Sequence, residues 1–556
     1  MRRYIILSIL LSLTCALKSQ TWAWAKSCSG GSVSSTYGGG DGISICNDPL
    51  GNVFITGDFE GTIIAGSNTL TCPTGYDCPY LVKYNSSGNV LWAKSLLFPC
   101  APYFSYNTYG ISVCSDASGD ALVTGLCYEG WYNKPNTALA KYNSSGTMLW
   151  SLSSADTTYY NTPYSVSCDA SNNIYVSGTF STSVAFGTTT LTGVGNMNLY
   201  LVKFDPNGNV IWAKTNSSGD VYDGFVTGVS ASAEANGNVF VTGSFTSPSL
   251  VLGTYTLTNS GTGNSFLAKF DANGNVLWAK NTIGAGFTYA YSVSADGIGN
   301  AYITGKYTSP TLAFGTNSIT NVGPQNIFIA KYDNTGNNLW AKSSANTTTD
   351  SPTGWSVSSN SAAVFVAGTT QSLLTLGATT YSPTASTATT GATFITKFDV
   401  NGNLVYGEVL SDGGDDWFMV SADNFCSAYV VGDFQGPSLT IGSTTMTYSP
   451  YSGENIFAAK LSFSSLCVDG LNEISTSNIK NKLYPNPNPG QFNLQIENEI
   501  KNGELILYNS IGQEVHRQKI IIGDNEIRTR SLSSGLYHYI ILQDKEPLSS
   551  GDLVIE

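Results

Sequence analysis

The residues equipped for chemistry are unevenly spread along this chain. Both histidines, His516 and His538, lie beyond residue 481, and the arginines after Arg3 are Arg517, Arg528 and Arg530. The stretch 20–462 therefore has no imidazole to act as a general base or metal ligand, and no guanidinium to clamp a carboxylate. It is rich instead in aromatic rings set beside carboxylates. Tyr106, Tyr109, Tyr159, Tyr160, Tyr222, Tyr289, Trp355 and Trp417 fall in short runs with Asp and Asn, among them Asp223, Asp350, Asp415 and Asp416. Rings of this kind stack on sugars while neighbouring oxygens accept the sugar hydroxyls. The same carboxylates, Asp415, Asp416, Asp223 and Asp350, could instead serve as general acid and base in a glycoside hydrolase or polysaccharide lyase. The run "DGGDD" (412–416) has the hard oxygen ligands that Ca²⁺ takes; no other cofactor is expected.

These runs lie between copies of one repeated unit. Its closing half reads "YLVKYNSSGNVLWAK" (80–94), "YLVKFDPNGNVIWAK" (200–214), "FLAKFDANGNVLWAK" (266–280) and "FIAKYDNTGNNLWAK" (328–342), with looser copies at 138–152 and 394–408. Its opening half reads "GNVFITGDF" (51–59), "GNVFVTGSF" (237–245), "GNAYITGKY" (299–307) and so on, seven times in all. Alternating β-branched and aromatic residues predict strands, and "NSSGN" or "DANGN" between two of them predicts a hairpin whose glycine takes a positive φ. A unit then has four main strands, and six of the seven insert a further turn-bearing segment. Repeated four-stranded antiparallel units predict a β-propeller. The seventh copy, "FAAKLS" (457–462), lacks the last strand, and the spare copy is "TWAWAK" at 21–26. The expected fold is all-β: a seven-bladed propeller whose last blade is completed by the N-terminal strand, which removes an exposed edge.

Repeated polar residues are expected to build the ring. Asp48, Asp116, Asp169, Glu234, Asp296 and Asp423 each lie nine residues before a unit's central glycine, in "D..GN" turns that an Asx cap would satisfy. Lys83, Lys141, Lys203, Lys269, Lys331, Lys397 and Lys460 recur in all seven units, and Ser44, Ser112, Ser165, Ser230, Ser292 and Ser356 occupy equivalent places near the axis.

On "AKYD..GN.LWAK" and "GN.YVTG.F", residues 20–462 resemble the bacterial SBBP repeat, a seven-bladed propeller family with no single activity. "KFDANGNVLW" also has something of the tryptophan-docking repeats of quinoprotein dehydrogenases, but seven units and no arginine argue against that chemistry. After a polar linker (463–481), residues 482–556 read as a small β-sandwich of the immunoglobulin-like kind. They resemble the type A C-terminal sorting domain of the type IX secretion system of Bacteroidetes. Tyr484, Pro485, Asn486 and Pro487 match its entry motif, and Asn509, Gly512, Gly535 and Tyr537 its later turn and strand; Asp552 after Gly551 departs from the usual Gly-Lys. The resemblance implies passage across the outer membrane and the secretion machinery as a partner.

Residues 1–19 carry two arginines and an apolar run too short to span a bilayer, which predicts a signal peptide cut before Gln20. Removing Arg2, Arg3 and Lys18 leaves 22 basic against 38 acidic residues, a net charge near −16 that disfavours nucleic acid and anionic membranes. No later run is long enough for a transmembrane segment. Ten cysteines remain, eight of them between Cys28 and Cys168, and Cys72 with Cys78 is the best-spaced disulfide. The expectation is a secreted or cell-surface protein, monomeric, that binds glycan or another surface polymer without catalysis. The carboxylate enzyme is the alternative, and a surface scaffold the third reading.

Overall fold

A computed structural model describes residues 20–32, 44–73, 76–96, 98–99, 108–129, 134–156, 161–221, 229–346, 351–371, 373–382, 392–410, 418–423, 427–434, 438–447, 455–463, 481–484, 490–496, 500–508, 514–529, 532, 535–543 and 546–555. The described residues are all β, in many small antiparallel sheets, a propeller-like arrangement. The sequence repeat and the sheets coincide. Units two to six each form one four-stranded sheet in simple order, as in Thr288–Ala295, Ala301–Tyr307, Asn326–Tyr332 and Asn338–Ser343 of unit five. In units four to seven the inserted segments are separate two-stranded hairpins, such as Thr311–Phe314 with Asn317–Thr320.

Position in the sheet explains composition. The second and third strands are covered on both faces, so Ile174–Phe180 and Asn198–Phe204 are buried at every residue. The hairpin joining the third and fourth strands is closed by an acid or amide: Asp271 Oδ1 accepts from the amides of Asn273 and Asn275 at 2.9 and 2.8 Å. Gly274 follows at φ 78°, where a side chain would be strained.

Tryptophan on the fourth strands of units one to five reaches the next unit. The indole Nε1–H of Trp92 donates to Ser144 O at 3.0 Å, that of Trp212 to Ala272 O at 3.0 Å, and that of Trp278 to Asn334 O at 2.9 Å, always at the next unit's hairpin. Trp24 does the same for unit one, donating to Ser86 O at 3.0 Å.

The N-terminal strand is longer than "TWAWAK" suggests. Gln20–Ser32 pairs antiparallel with Asn455–Phe463 of unit seven from Gln20↔Phe463 to Cys28↔Ile456, then with Val53–Ala65 of unit one from Ser29↔Ile64 to Ser32↔Glu60. Units seven and one consequently share one nine-stranded sheet. This extension follows a habit of the repeat, since the chain after other fourth strands also bridges the next unit's hairpin, at Ala155↔Ala185, Ser218↔Val251, Ile283↔Ala313 and Ser344↔Leu376.

First strands line up from unit to unit, each touching the next, and Phe418–Ala422 of unit seven touches Ser44–Asn47 of unit one. The repeated serines stitch them: Ser44 Oγ accepts from Val113 N at 3.2 Å, Ser112 Oγ from Val166 N at 3.2 Å, and Ser356 Oγ from Val420 N at 3.2 Å. Small hydroxyls at these places supply backbone partners between sheets that have no ladder in common.

The C-terminal residues form two further antiparallel sheets. One contains Asn481–Tyr484, Gln491–Ile496 and Gly523–Arg528; the other Gly503–Tyr508, Glu514–Ile520, Gly535–Gln543 and Glu546–Ile555. Phe492, Leu494, Leu505, Leu507, Ile527, Ile541 and Leu553 share one core between them.

Candidate functional site

The repeated acids and lysines are engaged in architecture. Asp48 Oδ1 accepts from the amides of Leu50 and Asn52 at 3.0 and 2.8 Å, while Lys83 Nζ lies 3.2 Å from its Oδ2. Lys141 pairs with Asp116 at 2.8 Å, Lys269 with Glu234 at 2.7 Å and Lys203 with Asp169 at 3.7 Å, all largely buried. The same ammonium groups sit over rings, as Lys269 over Phe240 at 4.4 Å and Lys460 over Tyr429 at 4.8 Å.

Of the aromatic residues singled out in the sequence, three lie within the described residues. Tyr109 is buried, donates to Asp77 Oδ2 at 3.2 Å and meets Tyr128 edge-on. Tyr289 and Trp355, on the first strands of units five and six, are brought together through a residue the repeat had concealed. Tyr291 stacks on Tyr289 with centroids 6.0 Å apart and on Trp355 at 4.9 Å, and Phe287 extends the row beyond Tyr289 at 5.4 Å. Interplanar angles are 5°, 19° and 22°, so the four rings form a nearly parallel series.

All four rings are half-buried. Phe287, Tyr289 and Tyr291 alternate with the buried Thr288 and Ala290, and Tyr291 falls where the pairing of Thr288–Ala295 with Ala301–Tyr307 shifts register. The indole Nε1–H of Trp355 donates to Thr369 Oγ1 at 3.0 Å, which fixes the ring. Lys306 Nζ lies 5.7 Å from the centroids of both Tyr289 and Tyr291, and burial pulls its pKa below the ordinary lysine value. The arrangement is a stack of π rings, each facing the next, with a cation alongside.

Tyr106, Tyr159, Tyr160, Tyr222, Asp223, Asp350, Asp415, Asp416 and Trp417 lie outside the described residues, as does the 412–416 run considered for Ca²⁺. Among the described residues no cluster of three His, Cys, Asp or Glu side chains is placed to hold a metal, and no helix is long and apolar enough to cross a membrane. Cys72 and Cys78 form the expected disulfide, and Cys127 is also disulfide-bonded.

In the C-terminal sandwich Tyr484 donates to Asp524 Oδ1 at 3.2 Å, Gly535 opens a strand and Tyr537 is buried in the core. Pro485, Asn486, Pro487, Asn509 and Gly512 lie outside the described residues. Residues 482–556 match the secretion system C-terminal sorting domain. This sorting domain indicates a secreted or cell-surface protein that engages the type IX secretion machinery.

For the remainder, a curated relative is the uncharacterized WD repeat-containing protein L264 of Acanthamoeba polyphaga mimivirus, 27% identical over 375 residues. The match takes in 52% of this chain and 26% of that protein, so the chain spans about a quarter of its relative's length. Solved structures with some likeness include a copper-bound fungal alcohol oxidase of the AA5 family, at 12% identity and a TM-score of 0.38, covering 96% of this chain and 99% of that one. PorZ, a surface component of the type IX secretion system of Porphyromonas gingivalis, is similar at 9% identity and a TM-score of 0.21, over 94% of this chain and 82% of its own.

Proposed function

We propose that this chain is a secreted or surface-held binding protein whose ligand is a glycan or similar polymer, held without catalysis on a seven-bladed propeller. In this reading residues 1–19 are the signal peptide, 20–462 the propeller built of SBBP-like repeats, 463–481 a linker and 482–556 the sorting domain. Closure of the ring by Gln20–Ser32 is supported by its pairing with Asn455–Phe463 and by Trp24, which docks on unit one as Trp92 docks on unit two.

The row Phe287, Tyr289, Tyr291 and Trp355 carries the functional reading. Pyranose rings present C–H faces that pack against aromatic side chains, and a row of such side chains drawn from two units favours a polymer over a single sugar. The deficit of basic residues favours a neutral or cationic polysaccharide over an anionic one.

The full chain should bind polysaccharides on an array of plant, algal and bacterial glycans. Tyr291→Ala and Trp355→Ala should each weaken that binding by at least about tenfold, the scale of a central aromatic contact. Silence across the array, or binding unaltered in both variants, would overturn the proposal; release of reducing sugar or unsaturated product would transfer the assignment to the carboxylate enzyme.

A further inference from the structure

Hydroxyl groups at a second repeated place also join neighbouring first strands, and two junctions break the rule. Two residues before each unit's repeated acid or amide, Ser167 Oγ accepts from Ala233 N at 3.2 Å, Ser232 Oγ from Ala295 N at 3.1 Å, Ser294 Oγ from Ser359 N at 2.9 Å and Ser358 Oγ from Ala422 N at 2.9 Å. These span the junctions from unit three to unit seven. In units one and two the same place holds Cys46 and Cys114. A thiol sulfur is a weak acceptor, so the substitution gives up the hydrogen bond that serine makes elsewhere.

At the junction of units two and three something else meets Cys114. The residue facing it, one before Asp169, is Cys168, and the two Sγ atoms lie 3.0 Å apart. The equivalent pair between units five and six is Ser294 and Ser359, whose Oγ atoms are also in contact at 2.9 Å. The repeat therefore brings γ atoms at these two places together independently of sulfur. Across the junction of units one and two, the place that Cys168 fills is held by Ser115, whose hydroxyl donates to Asp116 O at 3.1 Å.

We propose that Cys114 and Cys168 are joined by a disulfide across the junction of units two and three, with Cys46 left as a thiol. An Sγ–Sγ bond replaces two S–H bonds; the two protons and two electrons pass to the disulfide of a thiol–disulfide oxidoreductase, which becomes a dithiol. The exchange runs through a mixed disulfide on one cysteine, displaced by the thiolate of the other. Export takes the chain through a compartment where such oxidants act. Burial raises the Cys114 thiol above its ordinary pKa, and the hydrogen bond to Cys114, together with burial, raises that of Cys168 well above it. Thiolates are therefore scarce once the sheets have packed, and the bond forms while the strands are still accessible.

The full chain, collected from an oxidising compartment without reductant, is denatured, treated with iodoacetamide and cut with chymotrypsin. Mass spectrometry should find the peptides bearing Cys114 and Cys168 linked, with Cys46 carbamidomethylated. Full alkylation of Cys114 and Cys168, or linkage of either to Cys46, overturns the assignment. As a second measurement, Cys168→Ser should melt about 5 °C below the oxidised wild type, since the bond closes a loop of 54 residues, and the gap should vanish in reductant. A gap of the same size in both redox states also overturns it.

Discussion

Replacing Trp24 tests the junction on which the ring reading depends. Trp24 is 8% exposed, stacks on Tyr84 with centroids 6.0 Å apart, approaches Tyr429 at 6.3 Å and donates to Ser86 O. Trp24→Ala should cost roughly 3–5 kcal/mol, with about 1 of it from the indole hydrogen bond. A loss alone would not show that the ring serves the junction, but a double-mutant cycle with Gly88→Ala does. Gly88 has φ 77°, and a Cβ there would lie 2.6 Å from Trp24 Cδ2. The conformation costs an L-residue roughly 1–2 kcal/mol, and the overpacking roughly 1–3 kcal/mol more. Removing the indole relieves only the second cost, so the double variant should be about 1–3 kcal/mol more stable than the sum of the singles. Gly146 stands in the same relation to Trp92, with a Cβ 2.8 Å from its ring. Denaturant unfolding followed by far-UV circular dichroism gives both coupling energies, expected to agree within about 1 kcal/mol. Clear coupling at Gly146 with none at Gly88 would refute the equivalence of Trp24 and Trp92.

Two further perturbations probe buried charge. Glu234→Leu leaves Lys269 without the carboxylate 2.7 Å away and should lower stability by roughly 3–5 kcal/mol, while the pair Glu234→Leu with Lys269→Met should recover most of that in the same unfolding assay. Lys306 has its folded-state pKa depressed by burial, below an unfolded value near 10.4, so its charged form weakens the fold and that penalty fades as pH rises through the folded pKa. Lys306→Met should therefore melt higher than wild type at pH 7 and lose the alkaline gain in stability; a lower melting point with the alkaline gain intact contradicts the argument.

The repeated half of the molecule was legible because repetition multiplies a weak signal. One "FLAKFDANGNVLWAK" suggests a hairpin, but several copies fix strand order, the placing of glycine and the tryptophan contacts. Its limits show at particular residues. The strand from Gln20 reaches Ser32 rather than Lys26, because "SCSGGS" has no alternating pattern and takes its conformation from unit one's hairpin. Tyr291 directly precedes Ser292, one of the repeated serines, so its place in the repeat points to architecture, and its stacking on Trp355 arises only between units. Tyr109 looked equivalent to Tyr289 in the sequence, yet it turns inward to Asp77, a residue 32 positions away. Cys114 and Cys168 stand two and one places before their acids, so no comparison of equivalent positions would pair them.

The pairing of Gln20–Ser32 with Asn455–Phe463 has a consequence in time. Translation and export deliver the chain from its N-terminus, so the first strand to emerge is among the last to find its partner. For the whole interval in which the six intervening units appear, "TWAWAK" travels as an unpaired aromatic segment. Its complement arrives only just ahead of the sorting domain. Pairing of the first strand and presentation of the sorting domain are thereby nearly simultaneous events, and a chain halted before residue 455 has neither a partner for residues 20–28 nor the sorting domain.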